Sequence, residues 1–190
     1  MPSVFPAPQE TADPTCDDET CMLRLANGDA SALRPIFNRW KLPLMNYLYR
    51  SLGSHADAED LTLAVFEEVW KSASRYQPTG SFGAWLFAIA RGRLRHEWRR
   101  RSRHPVTPVA PHELVDSTDA IHSTPTDSEV EESLLQALRG LPVKQREALL
   151  LSTQTTLSSS EAARALGVRT DYFYVLVNRA RTALKQKFFQ

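Results

Sequence analysis

Residues 56–101 decide the fold of this chain; they read ADAEDLTLAVFEEVWKSASRYQPTGSFGAWLFAIARGRLRHEWRRR. In the first half, apolar side chains recur at helical spacing, at Ala58, Leu61, Val65, Val69 and Ala73. This period predicts an amphipathic helix from about Ala56 to Ser74. Gln77-Pro78-Thr79-Gly80 predicts a turn, and Ser81 is a suitable N-cap for the helix that follows. The stretch therefore predicts two helices joined by a short loop.

The second of these helices carries an apolar face and a row of arginines. The apolar face is formed by Phe82, Trp85, Leu86, Ile89 and Ala90. Arg91, Arg95 and Arg99 follow one another at a spacing of four residues, which places them together on another side of the helix. Guanidinium groups match phosphate oxygens bidentately, so the row indicates nucleic-acid binding. Three rings lie near its start: Tyr76, Phe82 and Trp85. They offer stacking surfaces for unpaired bases, although Phe82 and Trp85 also have the spacing of core residues.

The first helix has an acidic side. Asp57, Asp60, Glu67 and Glu68 fall within about 100° of one another around the helix axis. Such a side is either a solvated face or a docking surface for a basic partner. The neighbouring Phe66 and Trp70, one helical turn apart, favour docking of a protein.

Charge is strongly segregated along the chain, although the net charge of its 190 residues is only +1. Residues 1–22 carry five acids and no Lys or Arg, residues 91–103 carry seven arginines and one acid, and residues 104–132 carry seven acids and no Lys or Arg. This pattern predicts a polyanion-binding stripe beside acidic segments that screen it. The sequence contains neither an apolar run of membrane-spanning length nor a signal-peptide pattern, so we expect a cytoplasmic protein with no membrane insertion.

The remainder of the chain predicts a second helical unit and two segments that do not fold. Residues 1–19 form a proline-rich acidic tail, residues 20–103 a first helical domain, residues 104–128 a linker, and residues 129–190 a second domain. Within the first domain, we expect one helix from Leu23 to Trp40, interrupted at Pro35, and a short helix from Leu44 to Leu52. The fold class is all-α.

The second domain contains a helix-turn-helix pattern. A short helix from Ser160 ends at the Gly167 turn, and a longer helix runs from about Thr170 to Lys187. Four residues of the longer helix form an inward stripe: Phe173, Val177, Ala180 and Leu184. Five others then face outward, where a recognition helix meets the major groove: Asp171, Tyr174, Val175, Asn178 and Arg181.

Nothing in the sequence predicts catalysis, a metal site or a cofactor. The five histidines are scattered, and the chain has neither a glycine-rich phosphate loop nor a nucleophile motif. Cys16 and Cys21 alone form neither a disulfide framework nor a complete zinc site. We therefore expect a binding protein that is not an enzyme.

Taken together, the motifs resemble those of the extracytoplasmic-function (ECF) sigma factors of bacterial RNA polymerase. In the first domain the resemblance rests on Asn27-Gly28-Asp29, on Asp57-Ala58-Glu59-Asp60-Leu61 with Val65-Phe66 and Trp70, and on Ser81-Phe82 with Trp85-Leu86 and Ile89-Ala90-Arg91. In the second domain it rests on Leu138, Leu141-Pro142, Arg146-Glu147, Glu161-Ala162-Ala163, Leu166-Gly167-Val168 and Arg179-Ala180-Arg181. Each motif alone is loose, but their joint order and spacing are specific.

The resemblance implies an alternative sigma factor that directs promoter-specific initiation, with sigma regions two and four on a flexible linker. Docking on the clamp helices of the largest polymerase subunit is implied for Asp57, Glu59, Asp60, Leu61, Phe66 and Trp70. Capture of the melted minus-ten strand is implied for Tyr76, Ser81, Phe82, Arg91, Arg95 and Arg99. Recognition of the minus-35 element is implied for Arg169, Thr170, Tyr174, Asn178, Arg179 and Arg181. The implied partners are core polymerase, promoter DNA and an anti-sigma factor.

The chain departs from the family pattern at three places. Leu63-Ala64 replaces a polar Gln-Glu pair on the acidic helix, and Gly92 and His96 replace Asn and Asp on the arginine helix. The recognition helix reads Tyr172-Phe173-Tyr174-Val175-Leu176, without the two basic side chains usual there.

Two other functions fit part of the sequence. A sigma mimic that sequesters an anti-sigma factor would explain the weakly basic recognition helix but not the arginine row. A conventional helix-turn-helix regulator would bind duplex DNA without polymerase, commonly as a dimer.

Overall fold

The computed structural model describes residues 16–78, 80–103 and 125–188, with side chains for all of these except 102–103, 125–129 and 188. Within those ranges the chain is helical, as the sequence predicts. The helices are α1 (Asp18–Ala26), α2 (Leu33–Leu52), α3 (His55–Ser72), α4 (Phe82–Arg103), α5 (Pro125–Arg139), α6 (Val143–Ser152), α7 (Ser159–Leu166) and α8 (Thr170–Phe188). Single 3-10 turns lie at Ala30–Ala32 and Ala73–Arg75. Of the predicted tail and linker, residues 1–15 and 104–124 lie outside the described residues.

The first two helices differ from the sequence prediction. Instead of one helix from Leu23 to Trp40, α1 ends at Ala26, and Gly28 turns the chain with a φ of 89°. Helix α2 then runs through both prolines to Leu52. Pro35 lies in its first turn, where a missing N–H breaks no helical hydrogen bond. Pro43 lies inside the helix, which continues because the residues on either side, Trp40 and Leu44, are buried in the core.

Helix ends coincide with capping residues that the sequence makes visible. The Ser81 hydroxyl accepts a hydrogen bond from the Ala84 amide at 3.2 Å, which confirms the predicted N-cap of α4. Ser158 and Glu161 form a reciprocal capping box at the start of α7. Gly167 ends α7 in the left-handed conformation, so the predicted helix-turn-helix is present. At the other end of the second domain, α5 begins at Pro125, four residues before the helical period becomes evident in the sequence.

The first domain packs α2 and α3 against the apolar face of α4. Phe87 of α4 is fully buried and meets Tyr47 of α2 edge-on, with ring centroids 5.4 Å apart. Leu86, Ala90 and Leu94 of α4 are also fully buried. The second domain packs α6, α7 and α8 together, and the predicted inward residues Phe173, Val177 and Ala180 are buried. No helix among the described residues is long and apolar enough to cross a membrane.

The two domains pack against each other, which the sequence does not predict. Helix α4 contacts α7, and α2 contacts α5 and α6. Buried residues of both domains form one continuous hydrophobic cluster. The described part of the chain is therefore a single packed body.

Cys16 and Cys21, for which the sequence predicts no role, form a disulfide in the structure, with their Cα atoms 6.1 Å apart. The bridge spans the N-cap of α1, where the Asp17 side chain accepts from the Thr20 amide. The Cys16 carbonyl accepts a hydrogen bond from Arg39 of α2 at 2.8 Å. The disulfide thus links the residue before the N-cap of α1 to its first turn, and the Arg39 hydrogen bond joins this segment to α2.

Two glycines of α4 provide a matched test of its packing. A Cβ added at Gly92 would meet no atom within 4 Å, so this glycine only weakens the helix. Gly92→Ala should therefore raise the free energy of unfolding by about 1 kcal/mol. A Cβ at Gly83 would overlap the Trp40 ring, so Gly83→Ala should lower the free energy of unfolding. Urea unfolding of both variants measures the two effects; destabilisation by Gly92→Ala would contradict the exposed position of this residue.

Candidate nucleic-acid interface

Most arginines of α4 are neutralised by acids. Their ion pairs are Arg91 with Glu147, Arg93 with Glu68, Arg100 with Glu97, and Arg101 with both Glu97 and Asp57. Of the α4 arginines whose side chains the structure describes, only Arg95 and Arg99 lack an acidic partner. They lie one turn apart, with Arg99 exposed and Arg95 half-buried. This pair is the part of the predicted row that can accept phosphate without first losing an ion pair.

Glu97 organises the end of the arginine row. It accepts bidentate hydrogen bonds from Arg100 at 2.8 and 2.7 Å, and a further one from Arg101 at 2.8 Å. The Arg100 hydrogen bonds, with help from Arg101, lower the pKa of Glu97 from 4.5 to about 2. Arg101 also contacts Asp57 at 2.8 Å, which ties the end of α4 to the start of α3.

The predicted stacking residues lie together at the start of α4, but they differ in exposure. Phe82 is only 3% exposed, whereas Tyr76 and Trp85 are half-buried. The Tyr76 ring lies 4.8 Å from Trp85 and 6.1 Å from Phe82. Burial raises the pKa of Tyr76, and the charges of Glu19 and Asp18 add to the effect. Phe82 therefore supports the cluster from inside, and only Tyr76 and Trp85 present ring surface to solvent.

The acidic side of α3 is partly engaged within the domain. Asp57 pairs with Arg101, and Glu68 pairs with Arg93. Glu67 pairs with Lys71 at 2.6 Å on the exposed surface. Glu59 and Asp60 are exposed and make no ion pair with any side chain that the structure describes.

Large apolar side chains lie beside these acids. Leu63 is 60% exposed and Trp70 is 40% exposed, whereas Leu61 is half-buried. Phe66 is only 3% exposed, and its ring lies 4.8 Å from the Phe37 ring. Phe66 thus belongs to the core and supports this surface without forming part of it. The sequence analysis did not predict that Leu63 is an exposed apolar residue. The available signal was that Leu63 stands where related proteins have a polar residue.

The outward face of α8 is as predicted. Asp171, Tyr174, Val175, Asn178 and Arg181 are all exposed. Arg169 and Arg179 are exposed as well, whereas Thr170 is half-buried. Arg169 pairs with Asp171 at 3.4 Å, and both side chains remain almost fully exposed. Helix α8 packs on α5, α6 and α7, all of which belong to the second domain.

Comparison with known proteins identifies the two domains. Residues 36–104 match the family model of sigma-70 region 2, and residues 131–184 match that of sigma-70 region 4. The ECF RNA polymerase sigma factor SigF of Caulobacter vibrioides is 32% identical over 167 residues, covering 87% of this chain and 90% of SigF. The chain belongs to the ECF sigma factors. It therefore directs promoter-specific initiation by RNA polymerase and is not an enzyme.

Further relatives agree with this assignment. RNA polymerase sigma factor CarQ of Myxococcus xanthus is 33% identical over 149 residues, covering 77% of this chain and 83% of CarQ. The solved structure of CnrH in complex with the cytosolic domain of CnrY has a TM-score of 0.67 and 23% identity, covering 89% of this chain and 95% of that chain. At this identity the structural likeness shows a shared fold.

One buried charged residue of the sigma factor was missed as a candidate. Glu147 of α6 was noted only as part of a family motif, yet it is 1% exposed and pairs with Arg91 of α4. The sequence offers one signal for it, a charged Arg146-Glu147 pair directly before the apolar run Ala148–Leu151. No cluster of three or more potential metal ligands occurs within the described ranges of this sigma factor.

The low pKa of Glu97 predicts a pH-dependent contribution to stability. Because the pKa of Glu97 is lower in the folded state than its usual value of 4.5, the ionised carboxylate stabilises the fold above pH 4.5. This stabilisation is lost as the pH falls from 4.5 towards about 2. Near neutral pH, Glu97→Gln should lower the free energy of unfolding by about 1–2 kcal/mol, less than the full shift implies because Arg100 is largely exposed.

Urea unfolding of the wild type and of Glu97→Gln at several pH values measures this contribution. The difference between the two should shrink below pH 4.5. Glu67→Gln, which breaks the exposed pair with Lys71, is the matched control and should have a much smaller effect. A pH-independent difference for Glu97→Gln would contradict the ionised carboxylate as the cause.

Proposed function

We propose that three surfaces of this sigma factor divide the work of initiation. The acidic side of α3 docks on core polymerase, α4 and the loop before it hold the melted minus-ten strand, and α8 reads the minus-35 element. The observation that carries the proposal is the presence of two arginines on α4, Arg95 and Arg99, whose charges no described acid neutralises.

For core docking, the proposed contact residues are Glu59, Asp60 and Trp70, with Leu63 beside them. Exposed carboxylates together with an exposed indole on the same helix fit a basic partner surface with an apolar pocket. Leu61 and Phe66 support this surface from below, and Asp57 fixes its position relative to α4 through Arg101. The proposed partner is the pair of clamp helices on the largest polymerase subunit.

For strand capture, Arg95 and Arg99 contact phosphates, and Tyr76 and Trp85 provide stacking surface for unpaired bases. Ser81 and Phe82 shape the start of this surface, and Arg91 extends it towards α7.

For duplex recognition, the exposed face of α8 supplies Tyr174, Asn178 and Arg181, with Arg169, Thr170 and Arg179 at its edges. Asn and Arg suit base edges and phosphates, and the ring of Tyr174 suits contact with a thymine methyl group.

We further propose the domain organisation inferred from the sequence: an acidic tail at residues 1–19, region two at 20–103, a linker at 104–128 and region four at 129–190. Two of these bounds shift, because residues 18–19 lie in α1 and residues 125–128 lie in α5. The family assignment supports a cytoplasmic location. It also supports control by an anti-sigma factor, because one structural relative, RpoE of Bartonella quintana, was solved in complex with the anti-sigma factor NepR.

Reversing the two unpaired arginines should separate strand capture from core docking. The variant Arg95→Glu with Arg99→Glu should reduce open-complex formation by more than about tenfold, because two phosphate contacts become repulsive. Its affinity for core polymerase should change little, because the proposed docking residues lie on α3. Permanganate footprinting of promoter melting and a core-binding titration measure the two effects.

The matched control, Arg34→Glu with Arg50→Glu, reverses the charge of two exposed arginines of α2. It changes the net charge by the same amount as the α4 variant. This control should retain promoter melting. Equal losses of melting and core binding in the α4 variant would refute the assigned roles.

Transcription from fragmented genomic DNA by core polymerase, with and without this protein, tests the proposed division of work. New and reproducible start sites should share an element near minus-ten and a second near minus-35. Start sites that share only the minus-ten element would refute the role of α8. Core binding without any start site would favour a sigma mimic.

A further inference from the structure

The outward face of α8 consists of a central row of side chains and two flanks. At 3.6 residues per turn, four exposed residues fall within about 60° of one another around the helix axis. This central row is formed by Asp171, Val175, Asn178 and Thr182. It lies opposite the stripe of α8 that is buried in the second domain. The central row is therefore the part of α8 that projects furthest from the domain.

The two flanks carry arginine and tyrosine side chains. Arg179 lies with Tyr172 on one side of the central row, and each is roughly 70–90° from the centre of the row. Arg181 and Tyr174 have the same relation to it on the other side. All four are exposed, and neither arginine forms an ion pair with any side chain that the structure describes. Because Arg and Tyr commonly donate to phosphate oxygens, the flanks fit the two phosphate backbones that border a groove.

The central row carries no cation between Asp171 and Thr182. Its one charged member, Asp171, is paired with Arg169 at 3.4 Å. Guanine presents two acceptors in the major groove, N7 and O6, and these are typically read by a bidentate Arg or Lys. The central row therefore cannot read guanine in this way, and the bases that it can read must be sought among the others.

Two neighbouring members of the row match an adenine and a thymine. The Asn178 amide can donate to adenine N7 and accept from its N6 amino group. Val175 is 41% exposed, and its isopropyl group suits contact with the C5 methyl group of thymine. Residues three apart on a helix have Cβ atoms about 5–6 Å apart, and successive base pairs rise by about 3.4 Å. The two side chains can therefore reach base pairs one or two steps apart.

We propose that Val175 is a specificity-determining residue of α8, which selects a thymine of the minus-35 element through its C5 methyl group, close to an adenine read by Asn178. The proposal rests on the duplex-recognition role of α8 given above and names the base that the helix selects. The family resemblance does not imply a contact for Val175. The loss of basic side chains from the recognition helix is thus a change of base preference, while Arg179 and Arg181 on the flanks supply the phosphate contacts.

Replacement of thymine by uracil tests this contact, because the two bases differ only in the C5 methyl group. The probe is a promoter duplex at which the holoenzyme of core polymerase and this protein initiates. A series of duplexes carries 2′-deoxyuridine in place of one thymine of the minus-35 region at a time, and competition binding measures the affinity of the holoenzyme for each. The variant is Val175→Ala. The matched control is Val143→Ala, since Val143 of α6 is 42% exposed.

For the wild type we expect one replacement to lower the affinity roughly fourfold, which corresponds to the loss of one buried methyl group. In Val175→Ala the same replacement should lower it less than about twofold, because the side chain that contacts the methyl group has been removed. Val143→Ala should keep the sensitivity of the wild type. Equal sensitivity of the two variants at every position would overturn the proposal.

Failure of this proposal differs from failure of the role of α8. If scrambling the minus-35 region lowers the affinity but no single replacement does, α8 reads the element without a methyl contact, and only the present proposal is wrong. If scrambling has no effect, recognition of minus-35 by α8 is wrong, and the present proposal falls with it. A minus-35 region without thymine would also overturn it.

A change to arginine provides a second test with a gain of function. Val175→Arg places a bidentate donor in the central row, so it should favour guanine over thymine at the sensitive position by about tenfold. Val143→Arg adds the same charge on α6 and should leave the base preference unchanged. An unchanged preference for thymine in Val175→Arg would mean that this position does not face the base edges, which would refute the proposal.

Discussion

The structure depends on α4 serving two environments at once. Its apolar face, with Leu86, Phe87 and Ala90 fully buried, holds α2 and α3 together. Its other sides carry arginines that would repel one another if acids from α3, α4 and α6 did not pair with most of them. Among the described side chains, only Arg95 and Arg99 of this helix have no acidic partner, and for this reason we propose them as its phosphate-binding pair.

Much of this arrangement could be predicted from sequence because its determinants are local. Helical period and caps fix α3, α4, α7 and α8, and Ser81, Ser158 and Gly167 stand at their ends. The prediction failed at α1 and α2, where Pro35 was read as an interruption although it lies in the first turn of α2, and where Leu44 to Leu52 was read as a separate helix although it continues α2. The inward stripe of α8 correctly predicted that the opposite side of this helix is exposed.

The rest could not be predicted because it is non-local. Arg91 and Glu147 are 56 positions apart, and no local pattern links them. Gly80 was read only as a turn residue, but Gly53, Gly80 and Gly83 each lie against a side chain from the other domain. Phe66 and Phe82 were predicted to contact binding partners, yet they pack against Phe37 and Trp40 in the core. In each case, burial decided a role that spacing left open.

The distance between the two domains is the measurement that tests this account most directly. Donor and acceptor dyes at exposed positions Asn38 of α2 and Ser133 of α5 report it by energy transfer. We predict high transfer in the free chain and a marked decrease when core polymerase and promoter DNA are added, because the proposed roles place region two at the minus-ten element and region four at the minus-35 element, which lie apart along the duplex. Unchanged high transfer in complexes that are producing transcripts would contradict the account.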